Sequence, residues 1–486
     1  MLELLRAHFP VSQMDMIAAY GSGAFVQIAE SGGEATATPA AVASAASPSA
    51  ITSAASPASP AAPAAADPSS NMLDLIFAVA DPLAFHCDNM ARNPSHYSFL
   101  RWVADICPGI IRWVQESGAG VWYNTLIPLE IPVNVAPAAT SSSPSSSAAV
   151  ASPPTRLVKY GVISRSRLVS DLEGWTDLYI AGRMHKPMHM LVCSEEIQRA
   201  AKHNLQAACN TALLLIEAQR EAVAEASAAA AAAAASSAAP AVASSPSTAA
   251  ATGAAPVAPP SPVSPRVVPL PSVSLAPPSV SAPSLIPLRT LLRTIAALSY
   301  SGDVRMGLAE NPHKVANIVA GSWKELVALY APVITKVMRE SSGGSGGSSS
   351  GSSSTTGSDA AKDFVATASH PTDVLDFECD VTRRTRMLSV LPAHFQEQIL
   401  KSEAEQAHHR PITSAASPAA LPSPLPPTWH RVASLPAADR HRVLSTALSR
   451  IVRRSSSQQT VKGLATAGVR KSVQYALAKV RKAFRK

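Results

Sequence analysis

Two short strings near the N-terminus carry the residue types that phosphoryl chemistry needs. Gly21-Ser22-Gly23 sets two glycines around a hydroxyl. Glycine admits positive φ and close backbone approach, so the N–H groups of such a turn can point at phosphate oxygens, with the Ser22 hydroxyl as a further donor. Asp74 sits inside the apolar run 72–79. A carboxylate there is costly unless it is paired or binds a metal, and Mg²⁺ is commonly held by one or two carboxylates together with substrate phosphates. Read together, the strings describe a triphosphate in a glycine turn and a metal on the neighbouring strand. Taken singly they say less: most Gly-Ser-Gly triplets are merely turns, and an Asp at a strand start can simply face solvent. The other phosphate signatures, G-x-x-x-x-G-K-[ST] and G-x-G-x-x-G, are absent from the sequence.

The elements that must position these residues are interrupted by filler. Ala/Ser/Pro-rich inserts run at about 34–70, 134–154, 222–284 and 411–428, with a Gly/Ser-rich linker at 340–361. Loop closure entropy grows only logarithmically with length, so such inserts cost little in surface loops. The first block, 1–193, is expected to hold a sheet. A short helix precedes the glycine turn, strands are predicted at 72–79, 121–127, 157–163 and 189–192, and helical spacing is seen across 98–114. Ser194 opens a helix in the second block, 194–339, with further helical stretches at 288–298 and 315–338 and a break at Asn311-Pro312. The third block, 362–486, reads as helical. The class is α/β (α+β), with a mixed sheet followed by helices.

Composition narrows the alternatives. Charged residues make up only 15%, and 41 prolines with long Ala/Ser tracts account for the shortfall, so the 47% hydrophobic content does not report core. The five cysteines form no C-x-x-C pair, which argues against a disulfide framework and a structural zinc site. Net charge is +8, yet residues 442–486 hold twelve Lys or Arg and no acid, so the body is not a nucleic-acid-binding surface. No stretch is long and apolar enough to span a bilayer, and Met1-Leu-Glu-Leu-Leu-Arg6 has no signal- or transit-peptide character.

Eight collinear strings give the chain a family resemblance. They are Ala19-Tyr-Gly-Ser-Gly23; Met72-Leu-Asp-Leu-Ile-Phe-Ala-Val79 with Asp81-Pro82; Asn93-Pro-Ser-His-Tyr-Ser-Phe-Leu100; and Gly118-Ala-Gly-Val-Trp-Tyr-Asn124. Lys159-Tyr-Gly-Val-Ile-Ser164, Leu178-Tyr-Ile-Ala-Gly-Arg183 with Lys186-Pro187, Leu298-Ser-Tyr-Ser-Gly-Asp-Val-Arg-Met306 and Lys462-Gly-Leu-Ala-Thr-Ala-Gly468 follow. In this order they resemble the mitochondrial phosphatidate cytidylyltransferase family. The resemblance implies a nucleotidyltransferase-fold domain, a winged-helix-like domain and a membrane-associating C-terminal region. It implies the reaction of CTP with phosphatidate to give CDP-diacylglycerol and pyrophosphate, with Mg²⁺, for phosphatidylglycerol and cardiolipin synthesis. It also implies a peripheral place on the matrix side of the mitochondrial inner membrane.

On that reading Gly21, Ser22 and Gly23 hold the triphosphate, with Tyr123, Asn124 and Lys159 near the nucleotide. Asp74 binds Mg²⁺. Position 76 is Ile, so the second carboxylate of an Asp-x-Asp pair is missing, and Asp303 or Asp81 is the candidate replacement; Asp303 could equally cap a turn. Arg183 and Lys186 are candidates for neutralising phosphate or head-group charge, with solvated surface cations as the plain alternative. His86 and His96 are expected to satisfy local hydrogen bonds.

The C-terminal residues form a separate expectation. If 467–486 is helical, Val473, Leu477, Val480 and Phe484 make one apolar stripe. Arg470, Lys471, Lys479 and Lys482 are among the cations around it, as in a helix lying on an anionic membrane surface.

Overall fold

The computed structural model describes residues 1–21, 24, 72–98, 102, 109–130, 155–237, 285–306, 312–341, 373–409 and 428–467. Ser22, Gly23 and the predicted membrane-binding residues from Arg470 to Phe484 lie outside the described residues. The chain opens with α1 (Leu2–His8) and β1 (Met14–Tyr20). Then come β2 (Leu73–Val79), α2 (Pro82–Arg92), α3 (Gly109–Glu116), β3 (Trp122–Glu130), β4 (Thr155–Ser164), α4 (Arg165–Gly174), α5 (Ala181–Met184) and β5 (His189–Cys193). The second half holds α6 (Glu195–Ser237), β6 (Leu285–Pro287), α7 (Leu288–Ala297), α8 (Lys314–Gly321), α9 (Trp323–Ser341) and β7 (Val374–Asp376). It ends with α10 (Val381–Ser389), α11 (Ala393–His409), α12 (Thr428–Ala433) and α13 (Ala437–Ala467).

Five strands form a mixed sheet in the order β3-β4-β2-β1-β5. Only β2 and β4 run parallel; the remaining pairs are antiparallel. Side chains alternate between faces along each strand. One face presents Met16, Ala18, Ile76, Ala78, Val121, Tyr123 and Ile163, which pack into a core shared with α4 and the later helices. The other presents Ile17, Leu75, Phe77, Tyr160 and Val162, packed with Leu5 and Phe9 from the N-terminal segment.

The segment before the glycine turn is a strand, β1, where a short helix was expected. Met-Asp-Met-Ile-Ala-Ala-Tyr shows no alternation because β1 is central, paired to β2 on one side and β5 on the other, with both faces covered. A second boundary also differs. The helix that Ser194 opens runs to Ser237, well into the stretch taken as filler from 222. The added turns are nearly pure Ala, the residue that loses least on entering a helix.

The helices of the three sequence blocks share one core. Leu213 of α6, Leu291 of α7, Phe395 of α11 and Leu444 of α13 belong to the same buried cluster as the sheet residue Ile76. A buried ion network links the same parts, with Arg384 of α10 and Arg440 of α13 both paired to Glu217 and Glu221 of α6. Arg440 also donates to the Leu435 carbonyl at 2.7 Å. With one arginine removed, the glutamates would keep their desolvation cost and lose part of its compensation.

Candidate active site

The strand register builds one row of functional side chains. Tyr20 of β1 lies opposite Asp74 of β2, and Asp74 lies opposite Lys159 of β4. All three project from the face that carries Ile76 and Ala78, as does Tyr123 of β3, paired one row along with Gly161. Lys159 Nζ is 4.0 Å from Asp74 Oδ1 and 4.7 Å from the Tyr123 ring centre. Gly161 makes room for that ring: a Cβ there would meet Tyr123 Cε1 at 2.6 Å.

Gly21 follows Tyr20 at φ +77, and a Cβ on it would lie 3.1 Å from Asp74 Oδ2. The first residue of the glycine turn therefore sits directly against the carboxylate, and only glycine leaves that side open. This joins the start of the turn to Asp74, residues separated by the 34–70 insert.

A second layer covers the row. Arg183 of α5 places its guanidinium 5.4 Å from the Tyr20 ring centre, 6.0 Å from Tyr123 and 4.8 Å from Tyr179. Its Nη2 donates to the Tyr179 hydroxyl at 3.0 Å. The loop that carries Tyr179 is held by Asp171 of α4, whose buried carboxylate accepts the backbone N–H groups of Asp177, Leu178, Tyr179, Ile180 and Ala181. Asn204 of α6 fixes the next turn by accepting from Trp175 Nε1 and His185 Nε2 and donating to the Ala181 carbonyl. Lys186 donates to the Gly182 carbonyl and Ser299 Oγ, both at 2.7 Å. Gly182 has no room for a side chain, since a Cβ would fall 2.2 Å from Ser299 Cβ.

Tyr179, Arg183, Lys186, Ser299, Tyr300, Asp303 and Arg305 line a cleft closed on one side by Val452, Ser455 and Ser456 of α13. Lys314 joins it, with Nζ 5.1 Å from the Tyr300 ring centre. Arg305 and Asp303 neutralise each other through two contacts, Nε to Oδ1 at 2.9 Å and Nη2 to Oδ2 at 2.6 Å. Set aside that pair, and the cations of the row and the cleft are Lys159, Arg183, Lys186 and Lys314, of which Lys159 meets Asp74.

Titration behaviour follows from this excess of cations. Burial alone would raise the Tyr179 pKa, but Arg183, Arg305 and Lys159 outweigh it and lower it to about 8. Burial lowers Lys186 to about 8, with Arg183 and Lys314 adding to the effect. Burial raises Tyr20 and Tyr123, whose hydroxyls have each other nearby and no other hydrogen-bond partner among the described residues. Arg183 Nε is likewise buried without an acceptor among the described residues. Orphaned donors of this kind cost stability unless a ligand supplies acceptors.

Two candidate carboxylates have other tasks. Asp303 is the counter-ion of Arg305 and also accepts its backbone N–H, so both of its oxygens are engaged. Asp81 caps α2, accepting from Leu83 N and Ala84 N. It lies beyond the far end of β2, whose stretch from Asp74 to Val79 alone spans about 17 Å at ~3.3 Å per residue. Asn124 points to the opposite face from Tyr123. It donates to the Tyr160 hydroxyl at 2.8 Å and accepts from Trp122 Nε1 at 3.2 Å. His86 and His96 belong to that same opposite-face network. Tyr20, Tyr179, Arg305 and Lys314 were not singled out in the sequence; the first three stand inside the family-like strings, but nothing in their spacing shows that they converge.

Among the described residues no three His, Cys, Asp or Glu side chains converge as a metal site. Asp74 fits Mg²⁺ in the one way left open: its Oδ2 faces the bare side of Gly21, and one carboxylate with triphosphate oxygens is a recognised Mg²⁺ donor set. A larger cavity, about 450 Å³, lies at the other end of β2 and β4. There Arg112 and Arg167 are matched by Asp81 and Glu116, so it lacks the excess positive charge of the cleft around Arg183 and Lys186.

The family model described as mitochondrial phosphatidate cytidylyltransferase matches residues 2–224 and 280–482. A protein of that name from Xenopus laevis is 28% identical over 422 residues, covering 86% of this chain and 85% of its own length. One from Drosophila melanogaster is 26% identical over 430 residues, covering 86% of each. One from Mus musculus is 27% identical over 421 residues, covering 86% of this chain and 85% of its own length. On the strength of a match running through both halves of the molecule, the chain belongs to the mitochondrial phosphatidate cytidylyltransferase family.

Proposed function

We propose that this protein transfers the cytidylyl group of CTP to phosphatidate, releasing pyrophosphate and forming CDP-diacylglycerol for phosphatidylglycerol and cardiolipin synthesis. The observation that carries the reading is the placement of Asp74 against the Gly21 turn, beneath a layer of cations, in a chain with these relatives.

The triphosphate of CTP enters the cleft with its charge met by Lys159, Arg183 and Lys186. Arg183 is held by its bond to the Tyr179 hydroxyl and by three surrounding rings, so its donors are oriented before the ligand arrives. Lys186 is fixed by Ser299 and Gly182. A phosphate monoester has a second pKa of about 6 and is largely dianionic at neutral pH, so phosphatidate attacks the α-phosphorus without a strong general base. That suits a cleft with no histidine among its described lining residues. Asp74 would hold Mg²⁺, which when bound would neutralise charge on the triphosphate. No helix among the described residues is long and apolar enough to cross a membrane. We place the protein peripherally on the matrix face of the mitochondrial inner membrane, held through the basic C-terminal residues.

The test is purified full-length chain with CTP, Mg²⁺ and phosphatidate vesicles. CDP-diacylglycerol is the expected product, and Asp74→Asn should cut turnover by about a thousandfold or more while circular dichroism stays unchanged. Wild-type turnover in the Asp74→Asn protein would remove Asp74 from the site.

A further inference from the structure

The loop between α4 and α5 follows a costly backbone path. Trp175 and Leu178 both stand in the left-handed region, at φ +56 and φ +49. A Cβ makes that region unfavourable, and Gly, Asn and Asp are the residues that enter it readily. Two bulky residues held there in one short loop persist only where their surroundings over-determine them.

Asp171 supplies that determination. It is buried, and its two oxygens take five consecutive N–H groups. Oδ1 accepts from Asp177 at 3.0 Å and Leu178 at 2.7 Å; Oδ2 accepts from Tyr179 at 3.2 Å, Ile180 at 3.1 Å and Ala181 at 3.0 Å. Its main-chain carbonyl accepts the Trp175 N–H at 3.0 Å, so both left-handed residues are bonded to Asp171. An ionised carboxylate is suited to this, because both of its oxygens only accept. An asparagine would offer one oxygen and turn an NH2 group on the remaining donors.

What the loop delivers is the layer that covers the Asp74 row. Tyr179 lines the cleft, and its hydroxyl accepts from Arg183 Nη2. Ala181, whose N–H is the last of the five, opens the helix that carries Arg183. At the other end of the loop Trp175 is anchored by the bond from Nε1 to Asn204 and by its ring, 5.2 Å from that of Phe395. The base of the loop is thus fixed by packing and the end at the cleft by one carboxylate.

We infer that Asp171 is a positioning residue for the nucleotide site, whose carboxylate holds Tyr179 and Arg183 in their receiving arrangement before CTP arrives. Donors oriented in advance need no reorganisation when charge develops on the ligand. The identity of the ligand rests on the cytidylyltransferase reading; the ordering of the loop by Asp171 does not.

The experiment uses the full chain. Asp171→Asn is isosteric, with folding checked by circular dichroism, and kcat/KM for CTP should fall by about ten- to a hundredfold, as for a misplaced clamp. The readout that a merely structural role would not move is Tyr179. Burial raises its pKa, but Arg183, Arg305 and Lys159 outweigh burial and lower it to about 8. In Asp171→Asn that step should move up toward the ordinary value of 10.0. It is read as tyrosinate absorbance, less the same curve from Tyr179→Phe in each background. Hydrogen exchange on the wild type needs no variant: the amides of 177–181 should be protected in the free protein and change little when CTP is added. A folded Asp171→Asn protein with wild-type kcat/KM and an unmoved Tyr179 step would overturn the inference, whatever its melting temperature. So would amides that exchange freely until CTP binds, which would make the ligand the organiser of the loop. Wild-type protein that makes no CDP-diacylglycerol would defeat the enzymatic reading and leave the titration and exchange results standing.

Discussion

The two faces of the central sheet each carry a polar cluster, and the clusters are built on opposite terms. Behind the sheet, His86 donates to Gln115 Oε1 and accepts from the Tyr97 hydroxyl, both at 2.9 Å. Asn89 donates to the Tyr97 and Tyr160 hydroxyls, and Asn124 and His96 also meet Tyr160. Gln115 closes the network onto the Gly120 and Val162 carbonyls. Burial holds His86 neutral, with a pKa of about 4, and its amide partners Asn89, Gln115 and Asn124 carry no charge. In front, among the described residues, the Tyr20 and Tyr123 hydroxyls have only each other nearby and Arg183 Nε is buried without an acceptor, while cations outnumber carboxylates. A closed network of neutral groups specifies a structure. An open one with surplus charge is shaped for an anion that arrives later.

The largest effect that separates the faces should come from Arg183. Replacing it with Gln removes a charge that three tyrosine rings and one hydrogen bond hold in place, and kcat/KM for CTP should fall by about a hundredfold or more. Arg183→Lys should recover little, because an ammonium cannot reproduce the planar fork or its stacking on the rings. The melting temperature should hold or rise in the Gln protein, since a buried and incompletely satisfied charge has gone. A large stability loss with normal kcat/KM would place Arg183 among structural residues and erase the contrast.

Asn124 tests the other face. Asn124→Ala leaves the Trp122 N–H and one side of the Tyr160 hydroxyl without partners, which costs about 1–3 kcal/mol of stability. The expected readout is a lower denaturant midpoint with kcat and KM for CTP close to wild type in the folded fraction. A raised KM at full stability would return Asn124 to the nucleotide site and show that the rear network is not merely structural.

These pairings also mark how far the sequence could be read. The Asp74 strand was legible because a lone carboxylate in an apolar run is chemically conspicuous, and the family-like strings marked the other segments. β1 was not, because a central strand buried on both faces loses the alternation that identifies strands. Facing is a property of register. Tyr123 and Asn124 are adjacent in sequence and equally suited to a nucleotide, yet the pleat sends them to opposite sides of the sheet. Asp303 looked available because a sequence does not show that Arg305 two positions on folds back to occupy both of its oxygens. The reach of α13 to the cleft was hidden for a related cause: nothing local in Ser455 or Ser456 records that they line one cleft with Tyr179 and Lys186, more than 260 residues earlier.

The smallest effect is one of pH, and its sign distinguishes charge loss from unfolding. Lys186 and Tyr179 each titrate at about 8, below their ordinary values of 10.5 and 10.0. As pH rises through 8, Lys186 loses its positive charge and Tyr179 gains a negative one, so the cleft becomes less positive by two units. The kcat/KM for CTP, which reports the free enzyme, should therefore decline above pH 8, by about tenfold or more across one unit once either group controls binding. Saturating CTP favours the protonated forms of both groups, so kcat should hold to higher pH. Stability moves the other way. The unfolded chain binds both protons more tightly, so between about pH 8 and 10 these two groups make folding more favourable as pH rises. Lys186→Arg, which stays charged, should remove one step of the kcat/KM decline, and Tyr179→Phe the other. A kcat/KM flat to pH 9.5, with stability rising as expected, would mean that the triphosphate is held without Lys186 or Tyr179 and that its charge is met by Lys159 and Arg183 alone.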